Sequence, residues 1–374
     1  MKRSGVSILE VLFAILVVTV GLLGAVAVFP VAGSYVRKAR VADASSVIAR
    51  GAAGDFAVRG MNNAATWREW DGTAFVPATL APLASYCIDS RFCAANTADW
   101  TNASTFPYTH VDNPAGPRMR RVAFFGEQLP ATANYQLLAD AIFWKNDDLA
   151  YLRPGIDDGP FADDRSLPAY GQLDGTDTRR QSDGMYSWMA TLVPLVDMPL
   201  AANMPPPSPG STTANSAYST ASEYSLSVVV FHQREAGFAI DDVNERVVAA
   251  SVPDSTGGQV ILTSPIAERL ELSPGEWILL SGIKRTTGPL GVLNVPRFGW
   301  YQVTDAEEPY DNGTDFECYV SVIGRDWDTS LLFTQATIME DVATVHEKTV
   351  RLVPPNPIPS PPPPFIPPKP WPGT

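Results

Sequence analysis

Apolar residues follow three different rhythms along the chain. From Val11 to Ala32 no residue is charged, and apolar side chains fall on every face of a helix. Such a run is not the amphipathic helix of a soluble core, and it is long enough for the roughly 20 residues of a membrane-spanning helix. Beyond it, Ala44, Val47, Ile48, Ala52 and Phe56 recur at spacings of three and four, interleaved with Arg37, Arg40, Asp43, Arg50 and Asp55. That spacing predicts one apolar stripe on a continuing helix whose second half packs on a globular head. A helix from Ser7 to Arg59 would run roughly 80 Å at its usual rise. Pro30 and the glycines Gly21, Gly24 and Gly33 are expected to kink or loosen it.

Residues 61–183 carry no sustained period. They are rich in Asn, Asp, Gly, Pro and Trp, with short apolar runs at Val122-Ala123-Phe124-Phe125 and Ala141-Ile142-Phe143-Trp144, and they read as a loop-rich region with a few short elements. Strand patterns take over in residues 184–353. The segments from Met185 to Val193 and from Tyr224 to Phe231 predict a strand pair, separated by a Pro- and Ser-rich loop around Pro205–Asn215. Further strands are expected at 246–252, 259–263, 277–282, 300–304, 316–323 and 342–352, giving a mainly antiparallel sheet with an additional β layer. Residues 354–374, including Pro361–Pro364, form a Pro-rich tail expected to be extended polyproline or disordered.

Composition narrows the functions open to the chain. Its 374 residues, 45% of them hydrophobic, can bury a sizeable core. A formal net charge of −13 and the lack of a basic stripe argue against a nucleic-acid partner, which would need phosphates neutralised. Only three histidines occur, His110, His232 and His346, in dissimilar contexts without metal-ligand spacing. There is no GxSxG elbow and no phosphate-cradling GxxxxGK[ST] loop. The expectation is therefore a non-enzyme with no catalytic residues, cofactor or metal. The acidic group Asp157, Asp158, Asp163, Asp164, Asp174 and Asp177 does not have the spacing of a calcium loop and reads as a solvated acidic loop. Of the three cysteines, Cys87 and Cys93 are the natural disulfide outside the cytoplasm. Pairing of either with Cys318, or three buried thiols, stays open.

The N-terminus, Met1-Lys2-Arg3-Ser4-Gly5-Val6-Ser7-Ile8-Leu9-Glu10, sets a carboxylate at the start of the apolar run. A carboxylate in lipid costs about 2.5–3.5 kcal/mol at mid-membrane and less near the interface, so it calls for a partner. Lys2 and Arg3 favour a cytoplasmic N-terminus, although Arg37, Lys38 and Arg40 lie beyond the run. The short basic leader, Gly5, Glu10 and the uninterrupted apolar helix resemble the prepilin cleavage and methylation motif. The continuation through Gly21-Leu22-Leu23-Gly24 is similar to PilV-type minor pilins and pseudopilins. That family usually has Phe where Val6 stands. The resemblance implies cleavage by a prepilin peptidase between Gly5 and Val6, methylation of Val6, and pairing of Glu10 with the N-terminal amine of a neighbouring subunit.

The resemblance also implies a fold, α+β, with a long N-terminal helix (6–60, membrane-spanning over 6–33) following a leader of residues 1–5. This helix would be packed on a mainly antiparallel β head, with the loop-rich insertion at 61–183 and the disordered Pro-rich tail at 354–374. The function it implies is that of a subunit assembled into a type IV pilus or a filament of the type II secretion kind. Its partners would be the prepilin peptidase/methyltransferase, other pilin or pseudopilin subunits and the inner membrane. The head would lie in the periplasm before assembly into a cell-envelope filament. The alternative is an exported periplasmic or surface β-domain protein with a cleaved secretory signal or a signal anchor, since Ala25-Val26-Ala27 forms an A-x-A site behind Lys2-Arg3 and an apolar core.

Overall fold

A computed structural model describes residues 8–79, 84–109, 116–126, 134–145, 150–151, 180–181, 185–195, 223–234, 245–253, 258–288 and 291–353. Helix α1 (Ile8–Val58) runs unbroken through Pro30 and Gly33. It stops at Gly60, whose φ of 73° places it in the left-handed region. There Met61 N–H donates to the Phe56 carbonyl and Gly60 N–H to that of Ala57, a glycine cap that satisfies the last carbonyls of the helix. Met61 and Phe56 are both fully buried beside that cap.

A short hairpin follows, β1 (Arg68–Trp70) with β2 (Phe75–Pro77). After it come β3 (Tyr86–Ile88), α2 (Ser90–Ala95), α3 (Trp100–Ala103), β4 (Thr105–Phe106), β5 (Met119–Val122), α4 (Tyr135–Phe143) and β6 (Trp144–Lys145). The pair β7 (Ala150–Tyr151) and β8 (Arg180–Gln181) stands apart. The long strands β9 (Tyr186–Pro194) and β10 (Glu223–His232) are antiparallel neighbours, as their alternation predicts. Seven strands follow among the described residues: β11 (Glu245–Ser251), β12 (Gln259–Ser264), β13 (Trp277–Gly288), β14 (Gly291–Ala306), β15 (Tyr310–Asp311), β16 (Phe316–Ile323) and β17 (Leu332–Met339). Last comes β18 (Val342–Arg351).

These strands build two seven-stranded sheets. The first has the order β18-β10-β9-β3-β5-β4, with β6 also on β9; within it β3 and β5 run parallel. The second has the order β12-β11-β17-β13-β14-β16-β15, and an extra β12–β16 pairing closes it into a barrel. Strand alternation decides what each face meets, because successive side chains point to opposite sides. On the first sheet Trp188, Ala190, Leu192, Val228 and Val230 join Ala49, Ala52 and Phe56 of α1 in one core. Met189, Val229 and Phe231, one position out of step, join Leu279, Phe298 and Trp300 of the barrel wall in another. Trp300 Nε1 also donates to Thr191 Oγ1 at 3.2 Å across this boundary. The first sheet is thus sandwiched between α1 and the barrel, which explains why β9 and β10 are buried on both faces. The barrel interior is filled from its own strands, by Ile278, Leu280, Tyr301, Val303, Val320 and Ile338 among others.

The expected fold class is corrected. In place of a membrane-anchored helix carrying a single antiparallel head, the chain is β-rich, with a mixed sheet and a closed barrel. Among the described residues no helix is long and apolar enough to cross a membrane, and the side chains of residues 24–31 lie outside them. The closed barrel is the physical reason for the extra strands: closure leaves β12 and β16 paired where an open sheet would expose two edges. The stretch 61–183 contributes β3, β4, β5 and β6 to the first sheet. The Pro205–Asn215 loop, the acidic group from Asp157 to Asp177 and the tail 354–374 lie outside the described residues.

Candidate functional site

Of the residues singled out at the N-terminus, Gly5 and Val6 lie outside the described residues, as does the side chain of Glu10; the backbone of Glu10 belongs to α1. The apolar side chains that follow are exposed. Ile8 is 80% and Leu23 73% accessible, and Leu12, Phe13, Ile15, Leu16, Val17, Val18, Val20 and Leu22 between them are exposed as well. Consecutive positions point in all directions around a helix, so this end of α1 is an apolar rod bare on every face. The other half behaves oppositely. Ala44, Ile48, Ala52 and Phe56, with Ala49 and Ala53, are buried against the first sheet. Val47, expected on the same stripe, faces out at 59% accessibility. The spacing of four carries the buried face, and Val47 falls beside it.

A second cluster was not legible in the sequence. Arg121, on β5, is completely buried between Asp89 and Glu245. Its Nη1 donates to Asp89 Oδ2 at 3.1 Å, its Nη2 to Glu245 Oε1 and Oε2 at 2.6 and 2.7 Å, and its Nε to the Thr105 carbonyl at 3.2 Å. Arg234 forks onto Asp89 from the end of β10, at 3.2 and 2.8 Å. Tyr108 N–H donates to Glu245 Oε2 at 2.9 Å. The Arg121 guanidinium also lies 3.7 Å over the Phe92 ring.

Burial pushes the Asp89 carboxyl up, but Arg234 and Arg121 outweigh it and hold it below the usual range. Burial works against the charged form of Arg121, while Glu245 and Asp89 overcome it and raise its pKa. Two carboxylates and two guanidiniums balance, and each carboxylate oxygen accepts at least one hydrogen bond. Among the described residues the cluster is closed on itself, each charge facing its opposite. Its work is mechanical: Glu245 opens the first barrel strand and Arg121 stands in the first sheet, so the pair pins barrel to sheet.

No family model, no curated protein and no solved structure matches the chain. The reading of function therefore rests on the residues themselves.

The expected Cys87–Cys93 disulfide is not formed. All three cysteines are free and buried. Cys87, on β3, points into the core shared with the barrel, 3.8 Å from Met189 Sδ. Cys93, on α2, points into a separate cluster with Phe75, Ala123 and Phe125. Burial pushes the Cys87 thiol well up and raises that of Cys93 too, so both stay protonated and poor nucleophiles at neutral pH.

Among the described residues no three His, Cys, Asp or Glu side chains could hold a metal ion. His232 stands opposite Tyr186 and His346 opposite Val228, without converging on a common point. His110 lies outside the described residues.

Proposed function

We propose that the chain is a filament subunit of the minor pilin or pseudopilin kind, with the bare N-terminal end of α1 as its assembly element. One observation carries this reading: a helix that is apolar on all sides over Val11–Leu23 continues into a head that buries only its far half. An apolar patch of this size marks an interaction surface. A partner touching one face would leave the others in water, so the rod calls for a surround, and a bundle of equivalent helices supplies one.

The sequence around it supplies the specific pair. Cleavage between Gly5 and Val6 by a prepilin peptidase frees an amine, which methylation of Val6 leaves charged. Glu10, at the head of the rod, pairs with that amine on the neighbouring subunit. In the low-dielectric interior of a bundle an unpaired carboxylate costs several kcal/mol, so the pair fixes the register in which one rod lies against the next. The partners are then other subunits and the peptidase/methyltransferase, and the place is the cell envelope. The β-rich head is carried on the outside of the bundle.

Glu10→Ala tests this at a single residue. The variant is expected to accumulate to normal levels with its head folded but to be missing from sheared, sedimented filaments. Incorporation equal to that of the wild-type chain would contradict the pairing.

A further inference from the structure

Strands β13 and β14 outrun the barrel they help to build. On β13 the pairing with β17 ends at Ile283, opposite Leu332, and on β14 the pairing with β16 begins only at Gln302. Beyond Ile283 the two strands pair with each other alone among the described residues, from Lys284 opposite Val295 to Gly288 opposite Gly291. A two-stranded hairpin on its own is at best marginally stable in water, so this ribbon calls for a surface to lie against. On its outer side β14 meets no other strand from Gly291 to Tyr301 among the described residues, and such an edge offers N–H and C=O groups to a visitor.

The same end of the barrel presents apolar side chains to solvent. Ile323 closes β16 at 61% accessibility, and Leu332 and Phe333 open β17 at 44% and 65%. Phe333 is held there against its own preference. Its φ of 53° is left-handed, a region costly for a bulky residue. It sits where the register between β13 and β17 shifts, between the pairs Ser281–Gln335 and Ile283–Leu332. A bulge of this kind re-aims a side chain, here an aromatic ring turned to solvent. Backbone strain held at an exposed aromatic points to a contact outside the chain.

Charge selects the partner. The chain carries −13 in all, yet residues 277–304 contain Lys284, Arg285 and Arg297 and no acidic residue. Lys284 is engaged by Asp328, whereas Arg285 is exposed and has no partner among the described residues. Residues 305–317, which follow directly, reverse the balance: Asp305, Glu307, Glu308, Asp311, Asp315 and Glu317 stand there without one basic residue. No ion pair neutralises any of the six among the described residues. Among them Tyr310 is exposed and stacks on Tyr319 with centroids 6.0 Å apart, a face on which a guanidinium or an aromatic ring can lie. Strand β15 pairs only with β16 among the described residues, which leaves a second short edge.

The ribbon and the acidic end lie at opposite ends of one strand. Gly291 and Ala306 bound β14, about 50 Å apart along it at the usual rise, so the ribbon does not reach the acidic end of its own barrel. A second copy supplies that end. We propose that heads of this protein associate head to tail, with the β13–β14 ribbon and Phe333 of one copy seated on the acidic β15 end of the next. The contact is heterologous: each copy gives one surface and receives on another, so it extends into rings or open chains instead of stopping at a pair. This inference does not depend on the filament reading, which concerns the bare end of α1.

Sedimentation velocity of the full-length chain in detergent micelles tests it with two double variants. Arg285→Glu with Phe333→Gly disables the ribbon end, and Glu307→Lys with Glu308→Lys disables the acidic end. The wild type is expected to form species larger than a dimer that grow with concentration. They should dissociate as salt rises from about 0.1 M to about 1 M, where the screening length falls from about 10 to about 3 Å. Each variant alone should be monomeric. The two mixed should give equimolar dimers and nothing larger, since each keeps the half that the other lacks. Loss of fold is distinguished by the thermal midpoint, which Phe333→Gly should leave unchanged or raise, because glycine adopts a left-handed φ without strain. A wild type monomeric at every concentration would overturn the proposal, as would either variant associating like the wild type. A mixture that stays monomeric or grows past dimers, or a midpoint that falls in Phe333→Gly, overturns it as well.

Discussion

Removing the Arg121 side chain leaves Asp89 and Glu245 buried without their shared counter-ion, and this asymmetry sets the expected effect. Losing one partner of a buried ion pair costs about 3–5 kcal/mol, even where the intact pair adds little over an apolar replacement. Arg121→Leu should therefore lower the urea-unfolding free energy by that amount, and a loss below about 1 kcal/mol would contradict the account of the cluster. The acid limb carries a second signature. Asp89 titrates below its ordinary carboxyl value of about 3.9 in the folded state, because Arg234 and Arg121 prevail over burial. Its stabilisation is present above the unfolded value and is lost as pH falls through the lower folded one. Urea midpoints measured from pH 6 down should show a fall below about pH 4 that is shallower in Asp89→Asn. None of this was legible in the sequence: Arg121 and Glu245 are 124 positions apart and Arg121 and Asp89 are 32 apart. In an acidic chain no spacing rule singles out these carboxylates from the others.

At the scale of elements, local pattern was a good guide wherever a segment's burial follows from its own periodicity. The β9–β10 pair and β11, β12, β16 and β18 lie close to where alternation places them. Strand β17 (Leu332–Met339) escaped because its buried positions include Gln335 and Thr337. Gln335 Nε2 donates to the Pro117 carbonyl at 3.1 Å, a contact that no alternation rule detects. Strands β3 and β5 are short and pair in parallel, a long-range arrangement set by tertiary packing. The buried half of α1 was legible through Ala44, Ile48, Ala52 and Phe56. Phe56 is fully buried under the first sheet, and Phe56→Ala should cost about 3–5 kcal/mol by the usual penalty for a large core deletion. The same truncation at exposed Phe13 should leave the unfolding midpoint of the monomeric head unchanged. Equal losses at the two positions, measured in parallel, would contradict the division of α1 into a bare half and a packed half.

For the molecule as a whole, the two halves of α1 assign two jobs to one chain. The packed half, the first sheet and the barrel form a continuous body through the core that joins Met189, Val229 and Phe231 to Leu279 and Trp300. The bare half projects apolar surface that this body does not cover. The body could not be read from the sequence as a barrel, because closure depends on the β12–β16 pairing, which lies between segments rather than within one. The bare end was legible, because an uncharged run is a local property. What joins the bare end to assembly is the processing of its first residues, and the mass of the mature N-terminal peptide from native filament material measures that directly. The account predicts a peptide that begins at Val6 and carries one added methyl group. A mature chain beginning at Val28 or retaining Met1 would contradict it.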